Sequence, residues 1–581
     1  MALAAGEDGN HPPSQGDHRH RWRSRHRWAA AAGRLALAAL VLHLLLIQPN
    51  HPAAMTWGAL LLFPLELPVL LLLLLALPAE RGITIALRAT VTAAVTVIAL
   101  LKLADFASFS ALSRGFNPVT DMVLIPAAMR LTAGSVGVLA VIGAIFALLL
   151  LAAIVAAAIW WSTGVWARPR LPRTAAWGAS AAALVAAGVA WAEIGAAMGA
   201  WRLPAPIPGA AFTARVGVER VQLVSRTTAD LRRFAQAAAA DPFAEAGPLF
   251  DRLDRDLLIL FVESYGRASL DTPLYAPRTR ATLARAEAEL SAQGYAMRSG
   301  WLSAPTRGGQ SWLSHSSLAS GLRIDSQRLH SAMLASRRKT LYHYATSAGR
   351  ESTAVMPAIT LDWPEGRAYG FETILAAEDL GYQGEAFNWV TMPDQYTLSV
   401  LERRLRDRSM AGRRPLVAQV ALISSHAPWV PVPDLVPWDE VGDGTVFNAM
   451  AQRGDPPEVV WRDRDRVRRQ YAKAVDYALS AVFAFAARQA DLPLILVVGD
   501  HQSAPFVALD ERPDVAAHLI GPAHLVDAAA NWGWSPGLVP DPAGDVDGME
   551  RMRDRLLSAW SSGAPDAPSR LGESARAEMR P

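Results

Sequence analysis

The 581-residue chain contains no cysteine. A disulfide framework and a thiolate metal site are therefore excluded, and redox chemistry says nothing about the compartment. A strong charge of either sign is missing too: the formal net charge is +3. A basic stretch opens the chain at residues 1–28, with Arg19, Arg21, Arg23, Arg25 and Arg27 set between His, Trp and Ser. A long apolar run follows it at once, so it reads as the cytoplasmic flank of a membrane helix and not as a nucleic-acid patch. No small-residue cleavage site follows it, which excludes a simple signal peptide. What the chain has in excess is apolar residues, 51% in all, crowded into the first 201 positions. That is too long and too apolar for one soluble domain.

Five apolar segments, at 29–48, 56–78, 83–106, 134–161 and 174–200, follow the tail. Crossing a hydrocarbon core of about 30 Å takes about 20 helical residues, which each segment supplies. The five tail arginines, Arg81, Arg168, Arg170 and Arg173 fall on one side; Arg114, Arg130 and Arg202 fall on the other. Arginine marks the cytoplasmic side, so the N-terminus is expected inside, and five crossings put everything after Trp201 outside. Lys102 and Asp105 end the third segment, and Arg114 and Asp121 lie in the loop beyond it. Charges at that depth are costly; they read either as a lipid entry, with Lys102, Asp105 and Arg114 as its residues, or as an interfacial ion pair. The expected organisation is a tail at 1–28, a five-helix membrane domain at 29–201 and a connector with an amphipathic helix at 202–250. A soluble domain at 251–561 and a disordered tail at 562–581 complete it.

Three largely apolar runs in the soluble domain end in polar residues. Leu257–Val262 runs into Glu263-Ser264-Tyr265-Gly266, Leu416–Ile423 into Ser424-Ser425-His426-Ala427-Pro428, and Leu494–Val498 into Gly499-Asp500-His501. Helical patterns near 278–294, 339–348, 393–408 and 466–490 alternate with them. Buried strands alternating with helices predict an α/β domain with a mostly parallel sheet covered on both faces. Ligands bind such sheets at the carboxyl ends of the strands, where Glu263, His426, Asp500 and His501 fall. A loop of small residues, Ser303 to Leu322, feeds a short helix whose start is crowded with hydroxyls. Those hydroxyls suit a helix cap or a nucleophile. Glu263, Asp500, His501 and a hydroxyl near Ser311 make a mixed oxygen and nitrogen set suited to one Mn²⁺ or Zn²⁺.

The order strand-Glu-Ser-Tyr-Gly, Gly-Gln-Ser at a helix start, Ser-Ser-His-Ala-Pro and Gly-Asp-His resembles the alkaline phosphatase/sulfatase superfamily. More narrowly it is similar to the membrane-bound branch with lipoteichoic acid synthases and lipid-A phosphoethanolamine transferases, which also carry five N-terminal spans. The resemblance covers residues 29 to about 510. It implies that Glu263, Ser311, Asp500 and His501 hold the metal and that His426 holds the substrate phosphate. It also pairs Trp363 and Arg367, in Asp362-Trp363-Pro364-Glu365-Gly366-Arg367, with a Trp/Arg pair near the phosphate, though their spacing differs and Trp363 reads equally as a packing residue.

Two hydroxyls compete for the role of nucleophile. The phosphotransferases resembled here mostly use Thr, and Thr306 is available. Ser303-Ala304-Pro305-Thr306-Arg307 also resembles the sulfatase pattern whose first residue becomes formylglycine. In sulfatases, however, that residue opens the helix, and a Thr-Gly pair follows nine and ten positions later. Counting back from Ser320-Gly321 reaches Ser311, as does aligning Gly309-Gln310-Ser311 with the family's Gly-Lys-Thr. The resemblance therefore implies an extracytoplasmic enzyme of a bacterial plasma membrane. It would transfer phosphoglycerol or phosphoethanolamine from a membrane phospholipid to a glycan or lipid acceptor, through a phosphoseryl intermediate at Ser311. A sulfatase or phosphodiesterase that uses water is the alternative.

Overall fold

In the computed structural model the described residues are 15–565 except 79–80, 113–114, 123–124, 127–128, 130–136, 361–362 and 407–411. The expected disordered tail therefore lies outside the described residues from 566 onward. The chain divides into two compact units, Met1–Asp230 and Leu231–Pro581.

The first unit is helical. Its helices are α1 (Gln15–Ile47), α2 (Glu66–Ala76), α3 (Gly82–Leu112), α4 (Val138–Trp166), α5 (Arg173–Ala197) and α6 (Phe212–Ala239), the last running across the boundary between the units. Arg27–Ile47 of α1, Gly82–Ser110 of α3, α4 and α5 are long and apolar enough to cross a membrane. The second expected span is different. Its helix has only 11 residues, and the chain before it forms two short 3-10 turns, Pro52–Ala54 and Trp57–Leu61. Pro64 explains the break: it lacks an N–H and pushes the residue before it out of the helical region.

The short helix still completes a pass. At its start Ala214 N donates to Glu66 Oε1 at 2.8 Å, and Leu65 N donates to Ala210 O at 3.1 Å. Beyond its far end Pro78 O accepts from Thr84 Oγ1, at the start of α3, at 2.7 Å. The end of α3 lies by the end of α1, where Lys102 Nζ reaches Leu46 O at 3.2 Å. Arg88 Nη2 donates to Trp160 O at 2.9 Å, joining the start of α3 to the end of α4. Ala211 N donates to Glu193 Oε2 at 3.0 Å, bringing the end of α5 back beside the start of α2. Successive passes therefore alternate in direction, and the chain leaves α5 at the end of the bundle where α1 and α3 finish.

The second unit is built on one sheet of nine strands: β1 (Leu257–Val262), β2 (Ala296–Ser303), β3 (Glu351–Met356), β4 (Thr373–Ala376), β5 (Leu416–Leu422), β6 (Leu494–Gly499), β7 (Asp514–Gly521), β8 (Ser535–Pro536) and β9 (Val546–Gly548). Their order is β4-β3-β5-β1-β6-β7-β2-β8, with β9 also on β2. The stretch from β4 to β6 is parallel; β7 turns antiparallel against β6, and β2 against β7. The mostly parallel sheet expected from the sequence is therefore present, with an antiparallel edge.

Strand β1 lies at its centre because both faces are apolar. Leu258, Leu260 and Val262 enter one core, and Leu257, Ile259 and Phe261 enter the other. Full burial of each such side chain contributes on the order of 1.5–3 kcal/mol. Helices α7 (Ala276–Ala292), α10 (Asp394–Leu401) and α11 (Arg464–Ala487) pack on the first face. Helices α8 (Ser311–Ser320) and α9 (Gln327–Leu334) pack on the second.

Candidate active site

Register brings the polar strand ends together. Val262 of β1 lies opposite Leu422 of β5 and Gly499 of β6. The next residues on all three strands therefore meet at one edge: Glu263, the Ile423–His426 turn, and Asp500 with His501. Gly499 is required there, since a Cβ on it would lie 1.9 Å from Tyr265 O. The strand ends are laced together. Ser264 N donates to Asp500 Oδ1 at 2.8 Å, and Ser425 Oγ donates to Glu263 O at 2.6 Å.

Ser311 reaches this edge from the other side. Gly308, Gly309 and Gln310 take consecutive positive φ angles of 70°, 134° and 65°, which turn the chain sharply into α8. Gly308 N donates to Gln502 O at 2.7 Å, tying the loop to the segment after His501. Ser311 is the first residue of α8, and its Oγ donates to Glu263 Oε2 at 2.9 Å. Thr306 Oγ1 instead donates to Gly309 O at 2.9 Å, inside the loop. Ser303 is the last residue of β2, and its carbonyl accepts from Met549 N at 3.2 Å.

Glu263, Asp500 and His501 are all buried, with one ligand atom from each within 4.8 Å of the others. His501 Nδ1 lies 3.1 Å from Gln502 O; the proton belongs on that nitrogen, which leaves the Nε2 lone pair facing the carboxylates. Nε2 lies 3.2 Å from Glu263 Oε1 yet has no hydrogen-bond partner. Its lone pair and the carboxylate oxygens converge on a common point without bonding each other. This donor set fits a divalent cation.

The electrostatics ask for positive charge at the same point. Burial works against an ionised Glu263, but the charge of His501, 3.2 Å away, outweighs it and holds the carboxyl well below its usual range. Burial and the neighbouring Glu263 push Asp500 well up. Burial would lower His501, yet Asp500 and Glu263 raise it to about 9. A cation among these groups takes over the role of the retained protons.

His426 occupies the turn after β5, half-buried. Its Nδ1 lies 2.6 Å from Ala427 O, and its ring stacks on Trp389 with centroids 4.1 Å apart and planes 21° apart. Nε2 is thus the ring atom left for a ligand. Asp394, the first residue of α10, organises the turn. It is fully buried, and its Oδ1 accepts from Ile423 N at 2.8 Å and Ser424 N at 2.9 Å.

The remaining candidates make other contacts. Trp363 packs on Tyr369 and Phe371, with centroids 5.5 and 6.2 Å away. Arg367 is exposed on the short helix Glu365–Ala368. Among the described residues no hydrogen bond or ion pair joins either to Glu263, Asp500 or His501. Asp362 lies outside the described residues, as does Arg114. Lys102 and Asp105 belong to the helical unit and are fully buried there. Lys102 Nζ bonds Thr213 Oγ1 at 2.7 Å, and Asp105 pairs with Arg220 and accepts from Phe116 N at 2.9 Å. Both therefore bind α3 to α6.

Ser264, Asp394, Trp389 and His315 belong to the site without having been singled out. Ser264 Oγ donates to Glu263 Oε1 at 3.0 Å, and its place directly after Glu263 was the available signal. His315, one turn beyond Ser311, stacks on Phe261 at 4.1 Å, and burial lowers it to about 4, so it is neutral. Trp389 carries no signal in the sequence.

No family model and no curated protein sequence matches the chain. Among solved structures, it is similar to the lipoteichoic acid synthase LtaP from Listeria monocytogenes: 12% identity over 56% of this chain and 78% of that one, TM-score 0.36. It is similar also to the Streptococcus pyogenes phosphoglycerol transferase GacH, solved with sn-glycerol-1-phosphate: 12% identity, 58% and 82% covered, TM-score 0.36. A third is the soluble domain of lipooligosaccharide phosphoethanolamine transferase A from Neisseria meningitidis: 14% identity, 55% and 92% covered, TM-score 0.35.

Proposed function

We propose that this protein is a metal-dependent transferase of a bacterial plasma membrane. It moves phosphoglycerol or phosphoethanolamine from a phospholipid to an extracytoplasmic glycan or lipid through a phosphoseryl intermediate. The observation that carries the reading is the 2.9 Å hydrogen bond from Ser311 Oγ to Glu263 Oε2, beside Asp500 and His501 at the start of a helix. The excess of arginine on the tail side places the N-terminus in the cytoplasm and the sheet unit outside.

Glu263, Asp500, His501 and Ser311 would hold one Mn²⁺ or Zn²⁺, which when bound lowers the pKa of a coordinated hydroxyl and offsets phosphate charge. Ser311 Oγ attacks the phosphorus of the head group; its bond to phosphorus forms as the bond to diacylglycerol oxygen breaks. The serine proton ends on the departing diacylglycerol hydroxyl. In the second half the acceptor oxygen attacks the same phosphorus, the Ser311 Oγ–P bond breaks, and the acceptor proton returns to Ser311. The start of α8 presents unpaired N–H groups to charge growing on Ser311. His426 offers Nε2 to the equatorial oxygens, with Arg367 and Trp363 assigned to the same phosphate. Intact mass of the purified protein after incubation with defined phospholipids tests the reading. A gain of one phosphoglycerol or phosphoethanolamine unit supports it; an unmodified mass throughout turnover refutes it.

A further inference from the structure

A cleft of about 600 Å³ opens on the face of the second unit carrying α7 and α11. One wall is the chain just beyond His426, Val430 to Leu435; the other is α11, with Gln470, Lys473 and Ser480. Two contacts fix its place beside the candidate active site. Tyr471 OH donates to Ser264 O at 2.9 Å, so this part of α11 lies at the end of β1, next to Glu263. Asn388 Nδ2 donates to Val430 O at 2.8 Å, and the next residue, Trp389, is the one stacked on His426.

The turn that joins cleft and imidazole is built to hold an exposed aromatic ring. Phe387 and Val390 bridge each other and are buried, while Asn388 takes a φ of 57°. Between them Trp389 is 56% exposed although one face of its ring lies on His426. An indole left exposed at this turn presents its outer face to a ligand at little ordering cost.

The cleft lining suits an uncharged ligand. Arg278, Arg453 and Lys473 are matched by Asp434, Asp455 and Asp476. Most of that charge is already paired: Arg278 to Asp476 at 3.4 Å, Arg453 to Asp434 at 2.7 Å, and Asp455 to Arg466. Among the described residues Lys473 is the one lining cation left over, too little positive charge to hold a polyanion. The cleft offers instead the polar groups of Gln470, Lys473 and Ser480 opposite an apolar wall of Val430, Pro431, Val432, Pro433 and Leu435. Hydroxyl-rich chains with apolar C–H faces bind such surfaces, with aromatic rings as platforms.

We propose that this cleft is the acceptor subsite, and that it binds an uncharged glycan chain and delivers its end across Trp389 to the phosphoseryl centre. The proposal rests on the transferase reading and narrows its acceptor. The absence of native cysteine makes a direct test possible in the full-length protein. Ser480→Cys in the cleft gives a single thiol, to be blocked with a bulky maleimide. Phospholipid donor is supplied with glucose, maltotriose or maltoheptaose, or with an oligogalacturonate, and transfer is measured relative to hydrolysis. In wild type and in unlabelled Ser480→Cys, the ratio of transfer to hydrolysis should rise at least tenfold from glucose to maltoheptaose. Blocking the thiol should abolish that rise while the head-group adduct still forms. A ratio indifferent to chain length, a rise that survives blocking, or better use of oligogalacturonate would each overturn the subsite. An absence of any adduct in wild type would instead overturn the transferase reading, and the subsite with it.

Discussion

Asp394 gives a prediction whose size follows from the geometry. Its carboxyl is fully buried, accepts two backbone N–H bonds through Oδ1, and leaves Oδ2 without a partner. Burial outweighs those bonds and raises it from 3.8 to about 6. A carboxyl raised in the folded state favours the protonated form. Its contribution to stability is complete below the unfolded value of 3.8 and is lost as pH rises through about 6. A shift of about two units corresponds to about 3 kcal/mol at most. Asp394→Asn keeps the Oδ1 acceptor and cannot ionise. Relative to wild type it should gain about 1 kcal/mol more stability at pH 8 than at pH 5. Asp394→Ala strands two buried N–H groups at either pH, at about 1–3 kcal/mol each, and loosens the turn carrying His426. Urea unfolding of the full chain in detergent, followed by tryptophan fluorescence at both pH values, measures these differences. A gap between Asn and Asp that stays constant or shrinks as pH rises would refute the reasoning.

Other predictions concern the metal, the membrane unit and the topology. Asp500→Ala should remove bound metal and nearly all activity while circular dichroism stays near wild type; elemental analysis showing full occupancy would place the metal elsewhere. Lys102→Ala removes one donor from Leu46 O and one from Thr213 Oγ1, although Thr213 Oγ1 still donates to Leu46 O; the loss of the two bonds costs about 1 kcal/mol each. It should lower the melting temperature and impair use of a lipid donor more than hydrolysis of a small soluble phosphodiester; equal losses on both substrates would count against a role for α6 placement. Reporter fusions at Pro248 and Pro536 should be active only with a reporter that works after export, and a cytoplasmic signal at either would reverse the topology.

Much of the architecture was legible because the decisive elements are extreme in composition. β1, β5 and β6 are buried on both faces, so their runs are apolar apart from Gln419 of β5 and end abruptly in the polar residues of the site. β2 and β7 were not legible. Arg298, Ser299, Asp514 and His518 interrupt their apolar pattern, and His518 is held by Ser299 and by Tyr265 across the sheet. In the helical unit, hydropathy alone could not show that Pro64 shortens the second helix, since proline barely dents a leucine-rich average. Glu263, Asp500 and His501 could be picked out as residues that directly follow strands. Asp394 and Trp389 act through contacts with a turn some 30–40 positions later in the chain, and nothing local to them announces that.

The central claim is that Ser311 carries the head group. Peptide mapping of enzyme trapped during turnover should place a phosphoglycerol or phosphoethanolamine adduct on Ser311. Ser311→Ala should abolish the adduct and lower turnover by several orders of magnitude, and Ser311→Thr should keep part of the activity. Thr306→Ala should cost at most about tenfold, or about 1.4 kcal/mol. An adduct on Thr306, or formylglycine at Ser303, would contradict the account.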